Sequence, residues 1–171
     1  NPVKYFKNRG FGLIEIIVYV SIVALIAIFS INAILSVTKV FAEVKSYNDL
    51  RESAVISLER MIKEIRFAND IDIAGTVFGT NPGRLKLNTT DETGSPKTLE
   101  FYVSGGSLNI IDNGVEKGTI TGSSTALTNL VFRQALTPKG KLIKIEMTLS
   151  DTRANPRTVN FYGSAVLRGS Y

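Results

Sequence analysis

The chain has 171 residues, enough for one small globular core together with a single segment of a different kind. It contains neither Cys nor His, which excludes disulfides, thiolate chemistry, imidazole acid–base catalysis and the usual zinc ligand sets, and disfavours an enzyme. The formal charge of +5 points to an anionic partner only superficially: Lys4, Lys7 and Arg9 supply three of those charges, and no basic stripe interleaved with aromatics follows to bind nucleic acid specifically.

From Phe11 to Val37 the only charged residue is Glu15, and the remainder is dominated by Ile, Val, Leu, Ala and Phe. A helix of about 20 such residues spans a bilayer core, so residues 11–37 are expected to form a membrane segment. The basic cluster lies before it and most of the chain after it. The positive-inside tendency therefore puts residues 1–10 in the cytoplasm and the C-terminal part outside.

Neither Gly nor Pro occurs between Leu13 and Ala74, and the pattern becomes amphipathic beyond the apolar run. Val44, Tyr47, Ala54, Leu58, Met61, Ile65 and Ala68 fall on one helical stripe. Lys45 and Asp49, Glu59 and Lys63, Arg60 and Glu64, and Arg66 and Asp70 stand four apart with opposite charge, as on solvated helix faces. The spacing predicts one continuous helix from Phe11 to about Ile73, roughly 95 Å long, with residues 38–74 its amphipathic continuation. Asn32, with Ser30 and Ser36, is its expected weak point.

Gly75 is a stop signal, and residues 75–171 read as a β-rich globular domain. Strands are expected at Arg84–Asn88, Thr98–Ser104, Ser107–Ile111, Leu127–Gln134, Lys141–Ser150 and Arg157–Leu167, in an antiparallel sheet packed on the helix stripe. Asp112-Asn113-Gly114 reads as a tight turn, and Thr137-Pro138-Lys139-Gly140 as a looser connection. The polar stretch Asn88–Lys97 reads as a surface loop. Leu142, Ile143, Ile145, Met147 and Leu149 mostly alternate with polar neighbours, which predicts one buried face.

Basic residues ending in Arg9-Gly10, then Phe11-Gly12-Leu13-Ile14-Glu15, then an unbroken apolar span, resemble the class III signal of type IV prepilins and pseudopilins. The resemblance covers Lys4 to about Ala74. It implies an α+β type IV pilin fold, with a long N-terminal α-helix packed on a C-terminal antiparallel β-sheet domain. It further implies that a membrane-embedded aspartyl prepilin peptidase removes the leader by cutting between Gly10 and Phe11 and methylates Phe11. The expected partners are that peptidase, other pilin or pseudopilin subunits, the inner-membrane assembly platform and, before assembly, lipid. No cofactor, metal ion, catalytic residue or specific nucleic acid is expected. The chain would pass once through the cytoplasmic membrane and then enter an extracytoplasmic filament.

A carboxylate in a hydrophobic helix costs about 2.5–3.5 kcal/mol on insertion scales, so Glu15 demands a partner or a proton. The family resemblance supplies one: the free amine of the cleaved Phe11 on a neighbouring subunit, mostly cationic at neutral pH. The alternative is an ordinary secretory signal or signal anchor, but no small-x-small cleavage site is obvious near the end of the run. The chain departs from the family in having Gly12 where Thr is common, no Pro in the apolar helix, and no Cys pair near the C-terminus. The last departure argues against a major pilin.

Ser57-Leu58-Glu59-Arg60-Met61-Ile62-Lys63-Glu64-Ile65-Arg66-Phe67-Ala68 looks like the late helix of minor pseudopilins and minor pilins. Leu127–Phe132 with Lys144–Leu149 resembles their hairpin. Together these suggest a minor, initiating or tip, subunit. Asp70 and Asp72 suit a turn better than a calcium site, since no EF-hand spacing follows. Gly105-Gly106 and Gly122-Ser123-Ser124 lack the strand–loop–helix context of phosphate binding and read as turns. Tyr162 and Phe161 read as core and rim of the last strand and not as a ligand site.

Overall fold

A computed structural model describes residues 12–137, 140–153 and 156–167. One helix, α1 (Leu13–Phe67), runs for 55 residues and is followed by antiparallel sheets, so the class is α+β with a long N-terminal helix and a C-terminal β domain. The chain divides into two compact units, Asn1–Val44 and Lys45–Tyr171, and the division falls within α1. Ser30, Asn32 and Ser36 do not interrupt the helix.

In the second unit α1 buries Ser46, Leu50, Ser53, Ala54, Ser57, Met61 and Ile65. Ala54, Met61, Ile65 and Ala68 are buried as the periodicity requires, and Leu58 is half-buried against the core, but Val44 and Tyr47 are exposed. Ser46 and Leu50 take the places expected of those two. Apolar spacing overlooks this because three of the buried residues are serines, where small side chains let the strands come close. Ser53 Oγ accepts the Gly122 N–H at 3.2 Å and lies 3.3 Å from Thr125 Oγ1.

The helix stops at Phe67, short of Ile73, because β structure claims the next backbone donors. Ala68 N–H still reaches Glu64 O at 2.9 Å, but Asn69 N–H donates to Asn88 O at 2.8 Å and Asp72 N–H to Lys86 O at 2.9 Å. The short strand β1 (Asp70–Ile71) thus pairs with β2 (Leu85–Thr90). The first sheet continues with β3 (Pro96–Ser104), β4 (Ser107–Asp112) and β5 (Val115–Thr119), in the order β1-β2-β3-β4-β5. A second sheet has the order β6 (Thr125–Thr137), β7 (Gly140–Asp151), β8 (Thr158–Val166).

Two sheets therefore replace the one expected, with two extra strands. β1 has only two residues, and β5 is exposed along its whole length, so neither carries a hydrophobic pattern. The expected loop Asn88–Lys97 is mostly strand: only Asp91–Ser95 turns, closed by Asp91 Oδ1, which accepts the N–H groups of Thr93 at 2.9 Å and Ser95 at 2.8 Å. The tight turn after β4 occurs as expected, with Asn113 and Gly114 at φ of 50° and 80°. Both values match the turn that suits the twist of paired strands. Thr137 and Gly140 face one another in the β6–β7 register; Pro138 and Lys139 lie outside the described residues.

The core is one cluster fed by both sheets and α1. It takes Leu85, Leu87, Leu99, Phe101 and Leu108 from the first sheet and Leu130, Phe132, Ile143, Ile145, Met147 and Leu149 from the second. Burying each such side chain contributes about 1.5–3 kcal/mol. The segment Gly79–Gly83 covers the outer edge of β6: Gly79 N–H donates to Phe132 O at 2.9 Å, Gly83 N–H to Leu130 O at 2.8 Å, and Asn81 Oδ1 accepts Leu130 N–H at 2.9 Å.

A polar clamp ties α1 to the end of β7. The buried Asp151 carboxylate accepts hydrogen bonds from Ser46 Oγ, from Arg153 N–H at 3.0 Å and from Arg153 Nε at 2.9 Å, while Arg153 also reaches Asp49 at 2.6 Å. Asp49 thus pairs across the fold instead of along the helix. Burial pushes the Asp151 pKa up, but the hydrogen bonds from Ser46 and Arg153 outweigh it and hold the carboxyl below the usual range.

Two expectations follow. A Cβ at Gly83 would lie 2.8 Å from Leu130 O, so Gly83→Ala should destabilise the fold by about 1–3 kcal/mol, read as a lower urea midpoint of the full chain in detergent. A depressed folded-state pKa means that Asp151 contributes stability above the ordinary carboxylate pKa and loses it as pH falls through and below that value. Asp151→Asn should therefore lower the urea midpoint at pH 7, and the gap from the parent should narrow below about pH 4.

Candidate functional site

The opening turn of α1 is built on Gly12 and Glu15. Gly12 O accepts from Glu15 N–H at 3.0 Å and Ile16 N–H at 3.3 Å, which makes Gly12 the residue that caps the helix. Glu15, three residues on, turns back so that Oε2 accepts Gly12 N–H at 3.4 Å. This is half of a capping box; the other half is missing because Gly12 has no side chain. The carboxylate also sits at the positive end of the helix dipole, where a negative charge is favoured. Gly12, which departs from the resembled signal, thus makes a serviceable cap with Glu15 as its partner.

Every described side chain from Gly12 to Val44 is exposed. The most apolar window of α1 has a mean hydropathy of 2.7 and none of it is buried, so the helix is a candidate membrane anchor by length and composition. The serine and threonine hydroxyls in this stretch are satisfied within the helix. Ser21, Ser30 and Ser36 donate to the carbonyls of Ile17, Ile26 and Asn32 at 2.8, 2.8 and 2.9 Å, and Thr38 donates to Leu35 O at 2.9 Å. Such back-bonding lets a polar side chain enter an apolar medium without a stranded donor.

The other residues of the expected signal, Lys4, Lys7, Arg9, Gly10 and Phe11, lie outside the described residues. Of the predicted helix pairs, Arg60 and Glu64 meet at 3.0 Å. Asp70 is not on the helix and bonds Lys141 Nζ at 2.5 Å, while Asp72 meets Lys86 Nζ at 2.9 Å. These lysines hold both carboxyls below the usual range. Each carboxylate so neutralised serves a turn or a strand contact. Gly105 and Gly106, at φ of 58° and 73°, form the β3–β4 turn, and Gly122 O accepts Thr125 N–H at 3.1 Å in another. Phe161 packs against the core and Tyr162 is exposed.

One feature escaped the sequence: a groove of about 700 Å³ between the last turns of α1 and the end of β8, lined by Ile62, Lys63, Arg66, Phe67, Ala165 and Val166 among others. Its residues come from segments about a hundred positions apart, and each alone reads as an ordinary helix or strand residue. The signal available in the sequence is Phe67, an aromatic residue off the stripe of Met61, Ile65 and Ala68. Comparison with protein-family models, with curated proteins and with solved structures yields no match.

Proposed function

We propose that this chain is a structural subunit of a type IV pilus or of a pseudopilus of the type II secretion or competence kind, in the minor role of an initiating or tip subunit. The observation that carries the reading is Glu15, a carboxylate in the first turn of an otherwise uncharged apolar segment whose described side chains are all exposed, directly after Arg9-Gly10-Phe11. The chain acts by assembly and not by catalysis. Its N-terminal helix holds it in the cytoplasmic membrane with residues 1–10 inside. Prepilin peptidase cuts after Gly10 and methylates Phe11, and the assembly platform moves the helix from lipid into a filament beside other subunits. There Glu15 pairs with the Phe11 amine of a neighbour, which offsets the cost of a carboxylate in an apolar core and sets axial register.

A second reading, a signal-anchored exported binding protein that never polymerises, is favoured by the Gly12–Glu15 hydrogen bond, which gives the carboxylate a local task. Glu15→Gln separates the two, because glutamine still accepts the Gly12 N–H but carries no charge. In a host with a prepilin peptidase and its filament machinery, the parent chain should lose residues 1–10 and gain one methyl group on Phe11 by mass spectrometry. Glu15→Gln should still be cut, yet enter sheared filaments at least about tenfold less, the loss expected when an opposite charge no longer answers in a low-dielectric core. An uncut leader, or normal filament entry by Glu15→Gln, would sink the filament reading.

A further inference from the structure

The two sheets treat their edges differently. β6 is covered by Gly79–Gly83, and β5 is a five-residue strand carrying Glu116 and Lys117 with a bulge opposite Ile110 and Ile111. Short, charged and bulged edges resist pairing with another strand. Among the described residues β8 has none of these protections: it is nine residues long, Thr-Val-Asn-Phe-Tyr-Gly-Ser-Ala-Val, without charge or proline, and ends its sheet.

The register shows what this edge offers. Leu167 N–H donates to Lys141 O and Asp151 N–H to Arg157 O, so hydrogen-bonded pairs with β7 fall on the odd-numbered residues of the final strand. In an antiparallel ladder the intervening residues point their N–H and C=O groups the other way. Asn160, Tyr162, Ser164 and Val166 therefore direct backbone donors and acceptors outward, and their side chains are exposed. Beside the same edge lies the groove of about 700 Å³, with Phe67 58% exposed and Val166 38% exposed as apolar walls. Its charged lining is Lys63 and Arg66 against one acid, Glu59.

We propose that the outer edge of β8 and the adjoining groove dock an extended segment of a partner protein, one that alternates apolar with acidic side chains. Added as a fourth strand, such a segment bonds the outward backbone groups of β8, turns its carboxylates to the face of α1, where Lys63 and Arg66 lie, and sets its apolar side chains on the opposite face beside Tyr162 and Val166. Charge selects this occupant over a second copy of the chain. A second β8 carries no acid, and β5 brings Glu116 together with Lys117, so neither edge answers the basic lining. The proposal does not rest on the filament reading.

The test uses the full chain in detergent micelles and two synthetic peptides of about eight residues, one alternating valine with glutamate and one alternating valine with lysine. Amide hydrogen exchange is followed by NMR. The glutamate peptide should slow exchange at Asn160, Tyr162, Ser164 and Val166 by about tenfold or more and leave Phe161, Gly163 and Ala165 unchanged; the lysine peptide should do neither. Ser164→Pro removes an outward donor without touching the β7 ladder, so it should keep the protection of Phe161 and Ala165 yet lose the peptide effect. Lys63→Glu with Arg66→Glu should reverse the preference between the peptides. The proposal is overturned if neither peptide slows the even-numbered amides or if both do so equally. It is also overturned if those amides are already protected without peptide in a concentration-dependent way, which would mark a second copy as the occupant.

Discussion

An α-helix satisfies its own backbone hydrogen bonds, and for that reason a single helix can serve in two surroundings. In α1 the ladder runs from Leu13 to Phe67 without interruption, while the side-chain rule changes along it. The first stretch is apolar and exposed, and its Ser21, Ser30, Ser36 and Thr38 hydroxyls bond back to the preceding turn. The later stretch answers to a protein core, presenting a narrow stripe of leucine, methionine, isoleucine and small residues to the sheets. Only the ends of the ladder need help, from Gly12 with Glu15 at one end and from the strand pairing of Asn69 at the other.

Packing against that stripe sets demands on the sheets. The helix comes close enough that a Cβ on Gly163 would lie 3.1 Å from Leu58 and 3.3 Å from Ile62, so the last strand has no side chain at that point. Buried serines serve the same closeness from the helix side, and two of them, Ser46 and Ser53, find hydrogen-bond partners across the interface. Ser57 is the exception, buried with no hydrogen-bond partner for its hydroxyl among the described residues. The Asp151 clamp adds a charged tie where α1 enters the globular unit. The groove lies at the other end of the packed helix, between its last turns and the ends of β7 and β8.

Electrostatics divides the charged residues by task. Asp70, Asp72 and Asp151 each meet cationic or hydroxyl partners that keep them ionised, and they hold turns and strand ends. Glu15 differs in kind. Among the described residues its hydrogen bond is the long one from the Gly12 N–H at 3.4 Å, with an apolar helix beyond it.

Neighbouring residues alone specify the long helix, its change from apolar to amphipathic, the β-rich remainder, the Asn113-Gly114 turn and the alternating burial of β7. All of these are local: a missing breaker, a period of 3.6 or 2, or a turn that needs positive φ is written in neighbouring residues. Tertiary structure alone decided that the helix stops at Phe67, where β2 captures the Asn69 donor, and that Leu50 and three serines, rather than Val44 and Tyr47, face the core. It also decided that Asp49 pairs with Arg153, that β1 and β5 exist, and that the strands form two sheets. Each of these depends on which distant segment arrives to offer a partner, and neither charge spacing nor apolar periodicity encodes that arrival. The place of β8 at the end of its sheet, among the described residues, belongs to the same group, because a strand's position is set by which distant strands pair with it.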